Sequence, residues 1–198
     1  MDKILLMFSG GIDSVGAMYK LLTLPEYASK KLHVHYIYMD NGSAYLPEAQ
    51  KDAVQKIFKA FGFIGISTNT YEYTTSTHVF PYKGYAWDSD VAYFMARVLI
   101  NNDSDIKYMA LGVNKDDRDS PSGNPDIWTT VREFDMMTEK KINRIYPVEQ
   151  YTKKEIIEFL PIPLLQTSWS CRTPIPNPDG FTPCGRCKSC RAREAAQK

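Results

Sequence analysis

The sequence predicts an α/β fold: a Rossmann-like parallel sheet of about five strands with helices on both faces, then a C-terminal cysteine module. Three observations lead there. Short β-type apolar runs alternate with segments of helical periodicity up to about residue 160, the pattern of β-α-β units. Lys3–Phe8 and Tyr108–Val113 are almost wholly apolar, as strands covered on both faces are. From Pro161 onward, prolines, four cysteines and basic residues replace the alternation. The expected division is therefore 1–160 for the α/β domain and 161–198 for a segment packed on it.

Each element has a local reason. Lys3–Phe8 reads as strand one, and Ile12–Leu22 as a helix with Val15, Met18, Leu21 and Leu22 at helical spacing. His33–Met39 is strand two. Pro47 suits the first turn of a helix that buries Ala53, Val54, Ile57, Phe58 and Phe61, with Gly62 expected to stop it. Ile66–Tyr73 is a more polar third strand, expected at a sheet edge. Asp88 is placed to cap a helix with Val91, Met95, Val98 and Leu99 on one face. Tyr108–Val113 is strand four. Asp126 can cap a further helix that buries Ile127, Val131 and Phe134, and Arg144–Val148 reads as a short fifth strand. Thr152-Lys153-Lys154-Glu155 has capping-box spacing, and its helix should end before Pro161.

Composition narrows the function. A chain of 198 residues, 43% hydrophobic and 24% charged, suits one soluble domain and excludes both disorder and a multidomain synthetase. Lys+Arg 24 against Asp+Glu 23 lacks the basic bias of tight nucleic-acid binding, so nucleic acid is not the expected partner. The first apolar run, Ile4–Phe8, is shorter than a signal core of roughly 7–15 residues or a membrane span of ~20. No membrane contact is expected, and the expected location is the cytoplasm. Cysteines there argue for metal or redox chemistry before disulfides.

Ser9-Gly10-Gly11-Ile12-Asp13-Ser14 lies between strand one and helix one, where open parallel sheets bind ligands. Two glycines allow a sharp turn that aims N–H groups inward, Ser9 and Ser14 add hydroxyls, and the helix N-terminus favours an anion. Asp13 would repel a phosphate, so it suits holding Mg²⁺ or fixing the loop. The plain alternative is a glycine turn; a six-residue string between a buried strand and a helix favours a phosphate loop. It is neither a Walker A loop nor a dinucleotide fingerprint.

Cys171, Cys184, Cys187 and Cys190 are spaced C-x12-C-x2-C-x2-C. Four close thiolates suit a closed tetrahedral Zn²⁺ site; an iron–sulfur cluster or a redox pair are the alternatives. Zinc leaves no cysteine over. Arg186, Lys188, Arg191 and Arg193 read first as compensation for the thiolate charge, and second as a nucleic-acid patch.

The string at 9–14 resembles the signature of the PP-loop ATP pyrophosphatase superfamily. The resemblance implies that Ser9, Gly10, Gly11, Asp13 and Ser14 hold the phosphates of ATP. Together with Ser170-Cys171 … Cys184-Gly185-Arg186-Cys187-Lys188-Ser189-Cys190-Arg191, with Leu111–Asp117, with Gly123-Asn124-Pro125-Asp126 and with Tyr146-Pro147, Lys153 and Glu155, it resembles the 7-cyano-7-deazaguanine synthase family. That family converts 7-carboxy-7-deazaguanine and ammonia to the nitrile with ATP and Mg²⁺, and its members suggest a homodimer. The resemblance sets Ser9, Asp13, Ser14 and Lys115 as candidate catalytic residues and adds Gly112 to the cofactor-binding set. Asp117, Asp126 and Trp87 are the candidate substrate contacts; Asp126 serves equally as a helix cap. Tyr82, Tyr85 and Trp128 can stack on a base or simply pack. Lys115 and Arg118 can reach phosphate or stay solvated.

The sequence also departs from that family. Tyr82–Asp88 replaces Pro-Gly-Arg-Asn, Asn124 replaces a tyrosine, and the first cysteine spacer is long and proline-rich. A divergent enzyme acting on a related deazapurine or a tRNA base is therefore the alternative reading, and a non-catalytic zinc-clipped module a further one. His33 and His35, two apart on one strand face, read as packing, and His78 as a loop residue.

Overall fold

The computed structural model describes residues 1–40, 42–80, 88–118 and 141–198. Among them β1 (Lys3–Phe8), β2 (Lys31–Asp40), β3 (Tyr71–Val79), β4 (Ile106–Ala110) and β5 (Asn143–Ile145) form one parallel sheet in the order β3-β2-β1-β4-β5. The central strand β1 buries Ile4 through Phe8 without a break, because helices cover both of its faces. Alternation along the strand divides the core in two. Ile4, Leu6 and Phe8 pack with Val15 and Met18 of α1 (Ile12–Thr23) and with Val54, Ile57 and Phe61 of α2 (Leu46–Phe63). Leu5 and Met7 point the other way, onto Tyr93, Ala96 and Ile100 of α3 (Asp88–Asn102).

The single turn α4 (Lys115–Arg118) follows β4. α5 (Lys153–Phe159) starts at the expected capping box: Glu155 N–H donates to Thr152 Oγ1, and Thr152 N–H donates to Glu155 Oε2 at 2.7 Å. Ile156 of α5 and Leu164 of α6 (Ile162–Thr167) join the α1–α2 layer, so the main core extends past residue 160. A Cβ on Gly16 would stand 2.8 Å from Ile156 Cγ2, so glycine lets α1 and α5 approach closely. A hairpin of β6 (Ile175–Asn177) and β7 (Gly180–Thr182), then α7 (Lys188–Ala196), complete the chain. No helix among the described residues is long and apolar enough to cross a membrane.

Several expected boundaries move. α2 runs through Gly62 and ends at a Schellman turn, with Gly65 at φ +85°, Ile66 N–H on Phe61 O and Gly65 N–H on Gly62 O. Ile66 therefore belongs to the helix terminus. The Ser67 hydroxyl then holds a 3-10 turn at Thr68–Thr70, which delays the third strand to Tyr71. That strand lies at the sheet edge, as expected. β4 stops at Ala110 and β5 at Ile145, short of Val113 and Val148. The buried face of α3 is Val91, Tyr93, Ala96 and Ile100, with Met95 and Leu99 at its margin. The helix expected after Asp126 lies outside the described residues.

Candidate functional site

The chain crosses from the β2–β3 side of β1 to the β4 side, so the loop after β1 sits where the winding reverses, the usual ligand crevice of such sheets. Gly10 has φ +75°, and a Cβ there would lie 2.9 Å from Val54 Cγ2 on α2. Ser14 organises the turn: its buried hydroxyl donates to Gly11 O at 3.0 Å and lies 3.1 Å from Ser9 Oγ. Gly11 N–H points to Ser9 Oγ at 3.3 Å. Asp13 is pinned from two sides. Asn114 Nδ2 donates to its Oδ1 at 2.9 Å, and Lys153 Nζ pairs with its Oδ2 at 2.9 Å. Its charge is thereby offset at a helix N-terminus that favours it.

Gly112 has a packing reason. A Cβ there would fall 2.6 Å from Ser14 N and 2.7 Å from Ser14 Cα, so the loop after β4 lies directly against the first turn of α1. Two residues on, buried Asn114 caps α4 by accepting Asp117 N–H at 2.8 Å while also holding Asp13. Asp116 Oδ2 accepts Lys153 N–H at 2.8 Å, and Lys115 N–H donates to Tyr151 O at 2.9 Å. The side chain of Lys115 is exposed. Asp117 keeps solvent access, yet surrounding protein raises its pKa by desolvation, against the pull of Lys153 and with repulsion from Asp13. Trp87, Asp126, Tyr82, Tyr85 and Trp128 lie outside the described residues.

The four cysteines converge, their sulfurs all within 4.8 Å of one another. Backbone N–H groups of Cys184, Cys187 and Cys190 point at the sulfurs of Cys171, Cys184 and Cys187 at 3.3–3.4 Å. The Thr173 hydroxyl adds a contact of 3.0 Å to Cys184 and lowers its pKa to about 6. Such donors favour the thiolate, the metal-binding form, at Cys184 and Cys187, whereas burial pushes Cys171 and Cys190 up. Ligands about 2.3 Å from one tetrahedral ion lie about 3.8 Å apart, within the 4.8 Å that bounds these sulfurs. Arg186, Lys188 and Arg191 are exposed beside it. Arg193, expected as charge compensation, instead donates to Leu165 O at 2.7 Å and Ser168 O at 2.8 Å. It caps the carbonyl end of α6.

This architecture matches a solved structure. The U34-tRNA thiolase NcsA from Methanococcus maripaludis, determined with its 4Fe-4S cluster, superposes at a TM-score of 0.54 and 18% identity. The match covers 98% of this chain and 64% of that one. The two share a fold. No protein-family model matches the sequence, and no curated protein matches it either.

The loop at 9–14 joins β1 to α1 and the four cysteines come together, but the bracing of Asp13 by Asn114 and Lys153 does not follow from the sequence. Asn114 lies in the Leu111–Asp117 segment that carries the family resemblance, which gives its side chain no partner. Lys153 is signalled by its place in a capping box and, with Tyr146-Pro147 and Glu155, by the family resemblance, neither of which gives the partner of its side chain. His78, expected in a loop, lies in β3 and faces Ser76 at 3.2 Å. His33 and His35 are buried on β2 and bonded to Thr74, as their packing role requires.

Proposed function

We propose that this chain is an ATP-dependent enzyme of the PP-loop kind that adenylates an oxygen of a nucleobase-like substrate. The observation that carries this reading is the loop at 9–14, set at the switch point with Asp13 paired to Lys153 and hydrogen-bonded by Asn114. A triphosphate placed there meets the N–H of Gly11, the Ser9 hydroxyl and the N-terminus of α1. The substrate oxygen attacks the α-phosphorus, the bond to the β-phosphate oxygen breaks and pyrophosphate leaves. Mg²⁺ would neutralise the phosphates; positioning and fixed charge supply the rest. Exposed Lys115 is free to swing toward the departing phosphates.

Two acceptors follow from different observations. The segments Leu111–Asp117 and Ser170–Arg191 support 7-carboxy-7-deazaguanine. Its adenylated carboxylate would lose AMP to ammonia, giving the amide; a second adenylation, of the amide oxygen, would let the nitrile form as AMP leaves. The fold shared with a tRNA thiolase supports a tRNA base instead, and more directly than it supports the nitrile. Against sulfur transfer, all four cysteines of the chain converge on one centre, which leaves no separate thiol. For that centre we propose a single zinc ion, because cube-type clusters bind their thiolates through separate irons and spread them further apart.

The test is pyrophosphate release from Mg-ATP with 7-carboxy-7-deazaguanine plus ammonium, and separately with unmodified tRNA plus sulfide, each product being weighed by mass spectrometry. Release with one acceptor assigns the substrate. Ser14→Ala and Asp13→Asn should abolish it while leaving the fold intact. No release with either acceptor rejects the reading.

A further inference from the structure

We propose that Trp169 is a positioning residue that couples the four-cysteine centre to the phosphate loop, so that metal and nucleotide each strengthen binding of the other. Coupling of this kind presupposes the nucleotide site proposed above. Trp169 makes two bonds in opposite directions. Its backbone N–H donates to Gly10 O at 2.8 Å, and its indole Nε1–H donates to Cys171 O at 2.9 Å. Cys171 is the first thiol of the cluster and the buried one.

The Gly10–Gly11 peptide is trans, so its carbonyl and its N–H point opposite ways. Holding Gly10 O toward Trp169 therefore fixes where Gly11 N–H is aimed, and that N–H donates to Ser9 Oγ within the loop. Gly10, in the left-handed region, has few side-chain constraints of its own to resist rotation of this peptide. The carbonyl of Trp169 also lies close to Gly11, 3.7 Å from where a Cβ would stand.

The far end of the segment is held by the same module. Arg193, three residues past Cys190 on α7, grips the carbonyls of Leu165 and Ser168, so residues 165–171 are clamped from both sides by chain that the cysteines tie together. Loss of the metal releases Cys171 and Cys190, loosens Trp169 and frees the Gly10–Gly11 peptide. By reciprocity, a bound nucleotide must hold the metal more tightly, which slower metal release reports where the association rate is unchanged.

The test uses the full chain loaded with zinc. Transfer of zinc to a chromogenic chelator is timed with and without saturating Mg-ATP, and Mg-ATP affinity is measured by calorimetry. Mg-ATP should slow zinc loss by about tenfold, within the usual range of such couplings. Trp169→Phe keeps the backbone N–H and an aromatic ring but deletes the indole donor. In that variant the zinc-loss rate should stop responding to Mg-ATP, with zinc content and Tm retained. A purely structural Trp169 would instead lower Tm and leave the response intact. Wild-type protein that binds Mg-ATP yet loses zinc at an unchanged rate overturns the coupling alone. Loaded wild type that does not bind Mg-ATP overturns the nucleotide reading, and the coupling with it.

Discussion

His35 has both ring nitrogens engaged: the Thr74 hydroxyl lies 2.8 Å from Nδ1 and the Ser76 hydroxyl 3.0 Å from Nε2. Those hydroxyls also meet His33 Nε2 at 2.6 Å and His78 Nε2 at 3.2 Å, so the three histidines of the chain form one ladder on β2 and β3. Each hydroxyl has a single proton to donate, which ties the imidazole tautomers together. Burial pushes His35 down to about 4, with His33 and His78 adding repulsion. Burial lowers His33 too, although Glu72 and Asp103 oppose the shift against Lys3 and Lys31. Below the unfolded value of about 6.5 the unfolded chain takes up a proton that folded His35 refuses. Stability should therefore fall as pH drops from about 6.5 through about 4, by a few kcal/mol for a group this buried. Denaturant titrations of wild type and His35→Gln across that range check it: the two should converge in acid, and parallel curves reject the assignment. The shared face of His33 and His35 was legible from their spacing. His78 was not, because its place in the ladder depends on where β3 begins.

At the scale of elements, the two ends of α2 illustrate what a sequence can disclose. Pro47 at the first turn and the stripe from Ala53 to Phe61 stand as their spacing implies, because local periodicity and burial agree there. The terminus misled, since Gly62 and Gly65 differ only in backbone conformation. Gly62 sits in the last turn with open space where a Cβ would go, whereas Gly65 holds φ +85°. Gly62→Ala should stabilise the protein by roughly 0.5–1 kcal/mol, and Gly65→Ala should destabilise it by roughly 1–2 kcal/mol. Opposite shifts of the denaturation midpoint check both; shifts of the same sign contradict the Schellman assignment. Gly112→Ala is the harsher change, because backbone atoms of Asp13 and Ser14 occupy the methyl's space. It should cost a few kcal/mol and weaken Mg-ATP binding by displacing the first turn of α1, which thermal unfolding and calorimetry measure together. Such a glycine looks like any loop glycine until the strand and helix are docked.

For the whole molecule, composition changes at Pro161, yet how the cysteine-bearing segment is attached was invisible in it. The bonds from Trp169 to Gly10 and from Arg193 to Ser168 use backbone carbonyls, which carry no residue signature, and the first joins positions far apart in the chain. Those anchors matter because the module has little apolar core of its own. α7 buries none of its residues, and Ile175 of the hairpin is exposed. The conformational entropy of ordering so exposed a segment must be offset by other means. Four converging cysteines able to hold a metal, the Arg193 cap and the ion pair between Arg172 and Asp88 are what the structure provides. Metal removal should therefore unfold the segment locally. α6 should not follow, since Leu164 is fixed in the core between α1 and α2. The measurement is amide hydrogen exchange with and without a strong chelator. Protection should be lost across residues 172–198, while β1, β2, β4 and α6 keep theirs. Loss of protection throughout the sheet at the same chelator concentration would mean that the metal supports the whole fold; unchanged protection in α7 would mean that packing alone holds the module.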